Sequence, residues 1–429
     1  MSDAGRANPF DVLSRRGLVE WCSAPEGLKG LFESQMVTGY VGFDPSADSL
    51  HVGNMVPIMG LAWLQRLGHR PLAIVGGGTG LIGDPSGKSK ERPLLTQDQV
   101  VHNMECIREQ LALFLDFDRS PNGALIVNNY DWLKEQTLIG FLRDTGKFFT
   151  VNYMISREYI RSRLEDPDKS ITYTEMSYML LQAFDFWHLY RTYGCKLQMG
   201  GNDQQGNILA GVDLIRKKEG GQAYGFTFPL LLTSTGQKFG KSEEGAVYLS
   251  PKRTSPYKFY QFWMNVEDDS LARLFRMYTF LDEEEIDHVL EQHMRSPEKR
   301  VAQRMLAMDM TRRVHGSLVA ERVARTSEIL FGDCDFSSAD LETVKVLEGE
   351  IPTSLADMSV GDSMVDLMAL SGVCASKGEA RRLLKGGGVY VNGRRIQEEH
   401  RLEDRDVLFG RYVIFRLGKK KYHLVIRRG

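Results

Sequence analysis

The 429-residue chain is 42% hydrophobic and 26% charged, ordinary for a folded globular protein and long enough for two to four domains. No stretch approaches the ~18 to 20 unbroken apolar residues of a membrane span, the N-terminus Met1-Ser-Asp-Ala-Gly-Arg6 is polar, and the five cysteines (Cys22, Cys106, Cys195, Cys334, Cys374) have no C-x-x-C spacing, so neither a membrane segment, a secretory signal, a zinc site nor a disulfide framework is expected. The net charge of −2 is unevenly placed: residues 377–429 carry 15 Lys plus Arg against 6 Asp plus Glu, which leaves −11 on the rest.

Residues 1–36 read as amphipathic helix without obvious chemistry. A short strand, Val37-Thr-Gly-Tyr-Val-Gly-Phe43, ends at the turn Asp44-Pro45 and is followed by His51-Val-Gly-Asn54. Residues 56–67 have helical periodicity, with Pro57 tolerated in the first turn. Pro71-Leu-Ala-Ile-Val75 is a buried strand, and a glycine cluster follows it. Strand, helix and strand in so short a span form a βαβ unit and hence a parallel sheet. Further strands are expected at 124–128 and 196–200, and helices at 137–144, 174–192 and 205–217. From about Ser255 to Phe331 strand signals vanish in favour of charged amphipathic helices, such as 270–280 and 298–313. Residues 332–360 are strand-poor and read as a linker. The last segment, from about Asp362, regains compact patterning, with helices at 365–371 and 377–384 and strands at 389–391 and 412–415.

Two nucleotide-binding patterns fail on context. Gly78-Thr-Gly80-Leu-Ile-Gly83 matches G-x-G-x-x-G, but Asp84-Pro85 turns the chain at once where a helix should continue, and no acidic strand end follows ~20 residues on. Gly87-Lys88-Ser89 resembles the end of a P-loop, but Ile82 stands where its first glycine belongs.

A third candidate is a pair. His51-Val-Gly-Asn54 opens a helix after a strand, and Lys238-Phe-Gly-Lys241-Ser242 lies in a Gly-containing segment far downstream. A helix N-terminus attracts phosphate, and two lysines on a loop can reach the same phosphates from the other side. The chemistry suited to this pair is nucleotidyl transfer. A nucleophile attacks the α-phosphorus, pyrophosphate leaves, and positioning with electrostatics does most of the work. Each half alone is commonplace; in this order, with a βαβ unit at the first, the two are far more specific.

On these residues the sequence resembles the bacterial-type tyrosyl-tRNA synthetases of class I, nearly end to end. Pro45 to Asn54 resembles the family's "HIGH" signature and Lys238 to Ser242 its "KMSKS" signature. Similar stretches lie at Tyr40-Val-Gly-Phe-Asp44, Gly80 to Lys88, Asn129-Tyr-Asp-Trp132, Tyr178 to Asp185, Gly200-Gly-Asn-Asp-Gln204 and Thr254 to Trp263. Asn54 stands where the signature's second histidine is usual, Gln205 where tryptophan is frequent, and Val41 where cysteine is frequent.

The resemblance implies a Rossmann-like parallel-sheet α/β catalytic domain with an inserted dimerisation region at 1–235, a helical anticodon-side domain with the lysine loop at 236–335, a linker at 336–360, and a small α+β RNA-binding domain at 361–429. It implies an enzyme that activates L-tyrosine with ATP and Mg²⁺ to tyrosyl-adenylate and pyrophosphate, then transfers tyrosine to the 3′-terminal ribose of tRNA(Tyr). No prosthetic group, resident metal, membrane or DNA partner is expected; a homodimer in the cytoplasm is.

Site residues follow by position. Asp84, Tyr178 and Gln182 match those that hold the substrate ammonium, and Tyr178, Gln182 and Asp185 share one helix face. Tyr40 and Asp185 match those that contact the phenol. A polar pair built for a hydroxyl is left unpaired by phenylalanine, and this enzyme family is the standard illustration of such discrimination, at about 10⁵. Gln204 and Asp203 match a further shell around the pocket, Gln204 on the tyrosine side and Asp203 on the ATP side. His51, Asn54, Ser46, Lys238 and Lys241 fall to the reacting phosphates, with Gly53, Asp44, Lys88, Arg92 and Ser242 on the ATP side. In the tail, Ala375 to Lys385 with Gly388 to Arg394 resembles an RNA-binding module shared with a ribosomal protein, which places Lys377, Arg381, Arg382 and Lys385 against phosphates. Alternatives are a tryptophanyl-tRNA synthetase, which lacks the Tyr40 and Asp185 pair and the tail, a synthetase-derived RNA-binding protein without catalysis, and a small-cofactor adenylyltransferase, which needs neither the helical region nor the tail.

Overall fold

The computed structural model describes residues 7–86, 95–118, 120–166, 170–242, 245–331, 336, 339–418 and 421–428, with the side chains of 159, 241, 242 and 331 left undescribed. Two compact units emerge, and neither is one contiguous stretch: Met1–Arg253 with Glu267–Pro297, and Thr254–Val266 with Glu298–Gly429.

The first unit is built on a six-stranded sheet. Its strands are β1 (Trp21–Cys22), β2 (Thr38–Phe43), β3 (Arg70–Val75), β4 (Leu125–Asn128), β5 (Cys195–Gly201) and β6 (Tyr224–Phe228), in the order β1-β6-β5-β2-β3-β4. Five run parallel, and only β1 pairs antiparallel, with β6. The buried runs of β2, β3 and β6 fit a sheet covered on both faces. Strand order reverses between β2 and β5, and ligands of open α/β sheets bind beyond the carboxyl ends of the strands at such a switch point.

Four helices frame that point: α1 (Met55–Arg66), α2 (Gln97–Leu111), α3 (Tyr173–Tyr193) and α4 (Gln205–Glu219). Helix α3 starts at a Thr172/Glu175 capping box and stops at Gly194, whose φ of 61° lets the chain reverse directly into β5. Its Glu175 also meets Arg163 in a buried ion pair at 2.6 Å. The glycine cluster after β3 yields a single helical turn, Thr79–Ile82, which Gly83 ends at φ 85°. The dinucleotide fingerprint therefore has no helix to feed, as its context indicated.

The second unit contains the helices Pro256–Met264, Val301–His315 and Ser317–Phe331 and a five-stranded sheet ordered Arg394–Arg395, Val389–Val391, Tyr412–Leu417, Lys421–Arg427, Thr353–Ala356. Helices Met364–Leu370 and Lys377–Lys385 supply Met364, Met368 and Leu384 to a core shared with Val389, Val413, Phe415 and Val425.

Several elements differ from expectation. Instead of one helical stretch, the described part of 1–36 holds two helices, Pro9–Arg15 and Pro25–Ser34, separated by β1, whose two residues acquire strand geometry only by pairing with β6. The stretch read as a strand-poor linker holds the helix Leu341–Lys345 and the strand Thr353–Ala356, which pairs parallel to Lys421–Arg427. That strand buries only Ala356 fully, so it carries no alternation to read. The sheet edge supplied by a distant segment makes it a strand.

Candidate active site

A cavity of about 1610 Å³ opens at the switch point. It is lined by Tyr40, Asp44, Ser46, His51, Gly53, Asn54, Asp84, Tyr178, Gln182, Asp185, Asp203, Gln204 and Lys238 among others, so residues spread over two hundred positions converge on one space.

One side is made for a cation. Tyr178 Oη donates to Asp44 Oδ2 at 3.0 Å, and Thr79 Oγ1 donates to Asp44 Oδ1 at 3.1 Å. Asp84 accepts from the Ser86 amide at 2.9 Å and from Gln204 Nε2 at 2.8 Å. Burial, then the negative charge of Asp44, pushes the Asp84 carboxyl up to about 6. A buried carboxyl whose proton affinity is raised further by a neighbouring carboxylate is an incomplete site that a cation completes. Asp44, placed by position on the ATP side, hydrogen-bonds within this group.

Deeper in, Asp185 is buried on α3. Its Oδ1 accepts from Trp132 Nε1 at 2.7 Å and its Oδ2 from Asn129 Nδ2 at 2.8 Å. Burial lifts its carboxyl to about 7 against the pull of these two donors. Tyr40 is only 2% exposed, packs its ring edge-on to Phe186, and feels the Asp185 charge. Its hydroxyl is buried with no hydrogen-bond partner among the described residues. Nearby, Gln198 Oε1 is likewise buried without a partner. Unpaired buried polar atoms are costly, and around a cavity they mark where a ligand's own polar group belongs.

Asn129, Trp132, Gln198 and Asn207 are the residues that sequence reading passed over as functional. Asn207 Nδ2 lies within 3.1–3.2 Å of Gln182 Oε1, Ser86 Oγ and Gln204 Oε1. It therefore links the ammonium-side residues of three segments. The stretch Asn129-Tyr-Asp-Trp132 was itself a signal, since two polar side chains three residues apart after an apolar strand face one way on a helical turn.

The other side faces phosphate. After β2 the chain runs through Ser46 to His51, makes a short 3-10 turn, Val52–Asn54, and enters α1. The Asn54 side-chain oxygen accepts the His51 N–H at 3.0 Å, so Asn54 shapes the turn that presents His51. Segment 247–249 pairs with 50–52: Val52 N–H donates to Val247 C=O, and Leu249 N–H to Leu50 C=O, both at 2.9 Å. Lys238 is exposed at the cavity, and the backbone of Lys241–Ser242 pairs with Gly245–Ala246. Gly240, at φ 90°, brings its backbone against the Gly53 amide. The two signatures are thus in main-chain contact. Lys88 and Arg92 lie outside the described residues, as do the side chains of Lys241 and Ser242.

The four tail residues occupy the helix Lys377–Lys385, and three of them meet carboxylates. Lys377 pairs with Asp366 at 2.8 Å, and Arg381 and Lys385 both reach Glu398 at 3.5 Å.

Comparison with known proteins covers nearly the whole chain. A family profile for class I tRNA synthetases (W and Y) matches residues 33–332, and one for a tyrosine--tRNA ligase SYY-like C-terminal domain matches 344–425. The chain is 48% identical over 421 residues to a tyrosine--tRNA ligase of Anaeromyxobacter dehalogenans, spanning 97% of this chain and 99% of that one. It is 46% identical over 420 residues to that of Roseiflexus castenholzii, spanning 97% and 98%. Among solved structures, a C-terminally truncated mitochondrial tyrosyl-tRNA synthetase of Aspergillus nidulans superposes with a TM-score of 0.70 at 30% identity, covering 76% of this chain and 95% of that one.

Proposed function

This chain belongs to the class I tRNA synthetases, in the tyrosine–tRNA ligase family, and from that premise we propose how its own residues carry out the two steps. It is an aminoacyl-tRNA ligase that joins tyrosine to tRNA using ATP. The observation that carries the residue assignment is the buried, partnerless Tyr40 hydroxyl beside Asp185, which together receive a phenol.

Tyrosine enters with its ring along α3. Its phenol donates to ionised Asp185, held in place by Asn129 and Trp132, and accepts from Tyr40. Its ammonium fits among Asp84, Tyr178 and Gln182, with Asp44 adding charge and Gln204, itself held by Asp203, fixing Asp84 from behind. The substrate carboxylate is already a nucleophile, so no general base is required. It attacks the α-phosphorus of Mg·ATP, and pyrophosphate leaves. His51 and Ser46 hold the phosphates from the helix side, while Lys238 and Lys241 cover the pyrophosphate from the loop, with Ser242, Lys88, Arg92 and the Gly53 backbone around them. Mg²⁺ arrives with the nucleotide, bound chiefly by phosphate oxygens. A ribose hydroxyl of the tRNA 3′ end then takes tyrosine from the adenylate.

Two further assignments have separate support. Leu138 and Ile139 are 72% and 74% exposed, and Leu142 and Val151 lie near them in sequence and also exposed, an apolar surface suited to a second copy of the chain. The cationic helix Lys377–Lys385 suits tRNA phosphates. The cytoplasm, which supplies tRNA and ATP, is the compartment this reading assigns.

ATP–pyrophosphate exchange measured with each of the twenty amino acids tests the reading. Exchange should depend on tyrosine; activity with tryptophan alone, or with none, sinks it.

A further inference from the structure

Helix α2 turns one face toward the segment that joins β2 to the His51 turn. Two carboxamides sit on that face, seven residues apart, and both are buried. Asn103 Nδ2 donates to the Pro45 carbonyl at 2.9 Å. Gln110 uses both ends of its amide. Its Oε1 accepts the Leu50 N–H at 2.8 Å, and its Nε2 donates to Ser49 Oγ at 3.2 Å. The contacts continue across the site: Ser49 Oγ also accepts the Ser250 N–H at 3.0 Å, in the segment that leads back to Gly240, whose carbonyl accepts the Val247 N–H at 2.9 Å.

Residues 50–52 hydrogen-bond to 247–249 through the Val52 N–H and the Leu50 C=O. The Leu50 N–H has no main-chain acceptor among the described residues, and the Gln110 side chain supplies one. A position that only filled space between a helix and a loop would suit Leu or Met, because a buried carboxamide is unfavourable unless all its groups are bonded. Gln110 does not line the cavity, so it cannot act on substrate directly.

We propose that Gln110 is a positioning residue for adenylate formation: its side chain stands in for a main-chain partner of Leu50, fixes the 45–51 segment in register, and so sets Ser46 and His51 against the lysine loop. This rests on the assignment of Ser46 and His51 to the ATP phosphates. Asn103 holds the other end of the same segment.

The test compares Gln110→Met, Gln110→Glu, Ser49→Ala and His51→Ala as full-length proteins. Single-turnover adenylate formation at saturating substrates and tyrosine affinity by equilibrium dialysis are measured for each. Gln110→Met keeps the side-chain length and removes both hydrogen bonds; its rate should fall about tenfold or more while tyrosine affinity stays within about twofold. Gln110→Glu keeps the acceptor for Leu50 and should lie between Met and the parent. Adding Ser49→Ala to Gln110→Met should slow it no further, because the two act as one chain of contacts. A Gln110→Met rate within about twofold of the parent, or tyrosine affinity lost in step with rate, overturns the proposal. Should Gln110→Met fail to fold, Ser49→Ala decides, and an unchanged rate there overturns it equally. If His51→Ala is as fast as the parent, the phosphate assignment itself fails; if it is slow while Gln110→Met is not, only the role of Gln110 fails.

Discussion

Gly240 lies so close to Gly53 that a Cβ built on it would stand 2.9 Å from the Gly53 amide nitrogen. One glycine belongs to the loop with the two lysines, the other to the turn after His51. Gly240 also has φ 90°, a conformation that costs an L-residue about 1–2 kcal/mol. Gly240→Ala should therefore push the lysine loop off the phosphate turn. The expected outcome is a slower ATP–pyrophosphate exchange with tyrosine affinity little changed, read by exchange kinetics beside equilibrium dialysis. Equal loss of both would mean that the contact supports the whole cavity and not its phosphate side.

The raised carboxyls give tyrosine binding a pH dependence. Asp185 and Asp84 titrate near 7 and 6 in the ligand-free protein, mainly because burial disfavours their charge. Both must be ionised to take a phenol donor and an ammonium. Tyrosine affinity should thus weaken as pH falls through 7 and more steeply below 6, while ligand-free stability moves the opposite way. A folded carboxyl raised above its unfolded value of about 4 costs stability as pH climbs through that window. Tyrosine dissociation constants measured from pH 5 to 8.5 check this, and a flat profile contradicts it.

Tyr40→Phe should trade specificity for stability. The Tyr40 hydroxyl is buried without a partner in the ligand-free chain, so deleting it should stabilise the fold by about 1–3 kcal/mol. The same deletion takes one polar contact from the phenol site, and preference for tyrosine over phenylalanine in exchange should fall about 10- to 100-fold. Thermal unfolding without ligand gives the first effect and the ratio of kcat/KM values the second. A destabilised variant with intact preference would mean that the hydroxyl is satisfied internally.

On the tail, Glu398 is the counter-charge to both Arg381 and Lys385. Its removal by Glu398→Gln should strengthen tRNA binding a few-fold at low salt, with an advantage that shrinks as salt rises. Filter binding across a salt series measures it. Weaker binding would place these cations in a structural role.

How much of this was legible in sequence depends on the range of the cause. Helix α3 could be read because Thr172, Glu175 and Gly194 mark its ends locally, and its Tyr178, Gln182 and Asp185 face follows from helical spacing. Strands β2 and β3 announced themselves as apolar runs. The pair at β1 and the strand Thr353–Ala356 did not, because each exists only through a partner strand far along the chain. In the site, the residues that resemblance placed in contact with substrate do line the cavity where their side chains are described; those of Lys241 and Ser242 are not. Of the ones missed, Asn129, Trp132 and Asn207 touch other side chains, and a sequence does not display such second contacts. Asn54 was read as a phosphate contact; its side-chain oxygen also closes the turn beneath His51, which the sequence did not display.

The division of the chain into interleaved units bears on biosynthesis. The unit with the switch-point cavity takes its last piece, Glu267–Pro297, only after Thr254–Val266 has gone to the other unit. During translation, the nascent catalytic portion has all six strands of its sheet once residue 228 has emerged, yet it stays incomplete until the ribosome has passed residue 297. A single proteolytic nick cannot part the two units into intact halves, and a deletion drawn at any one boundary leaves one of them missing a segment.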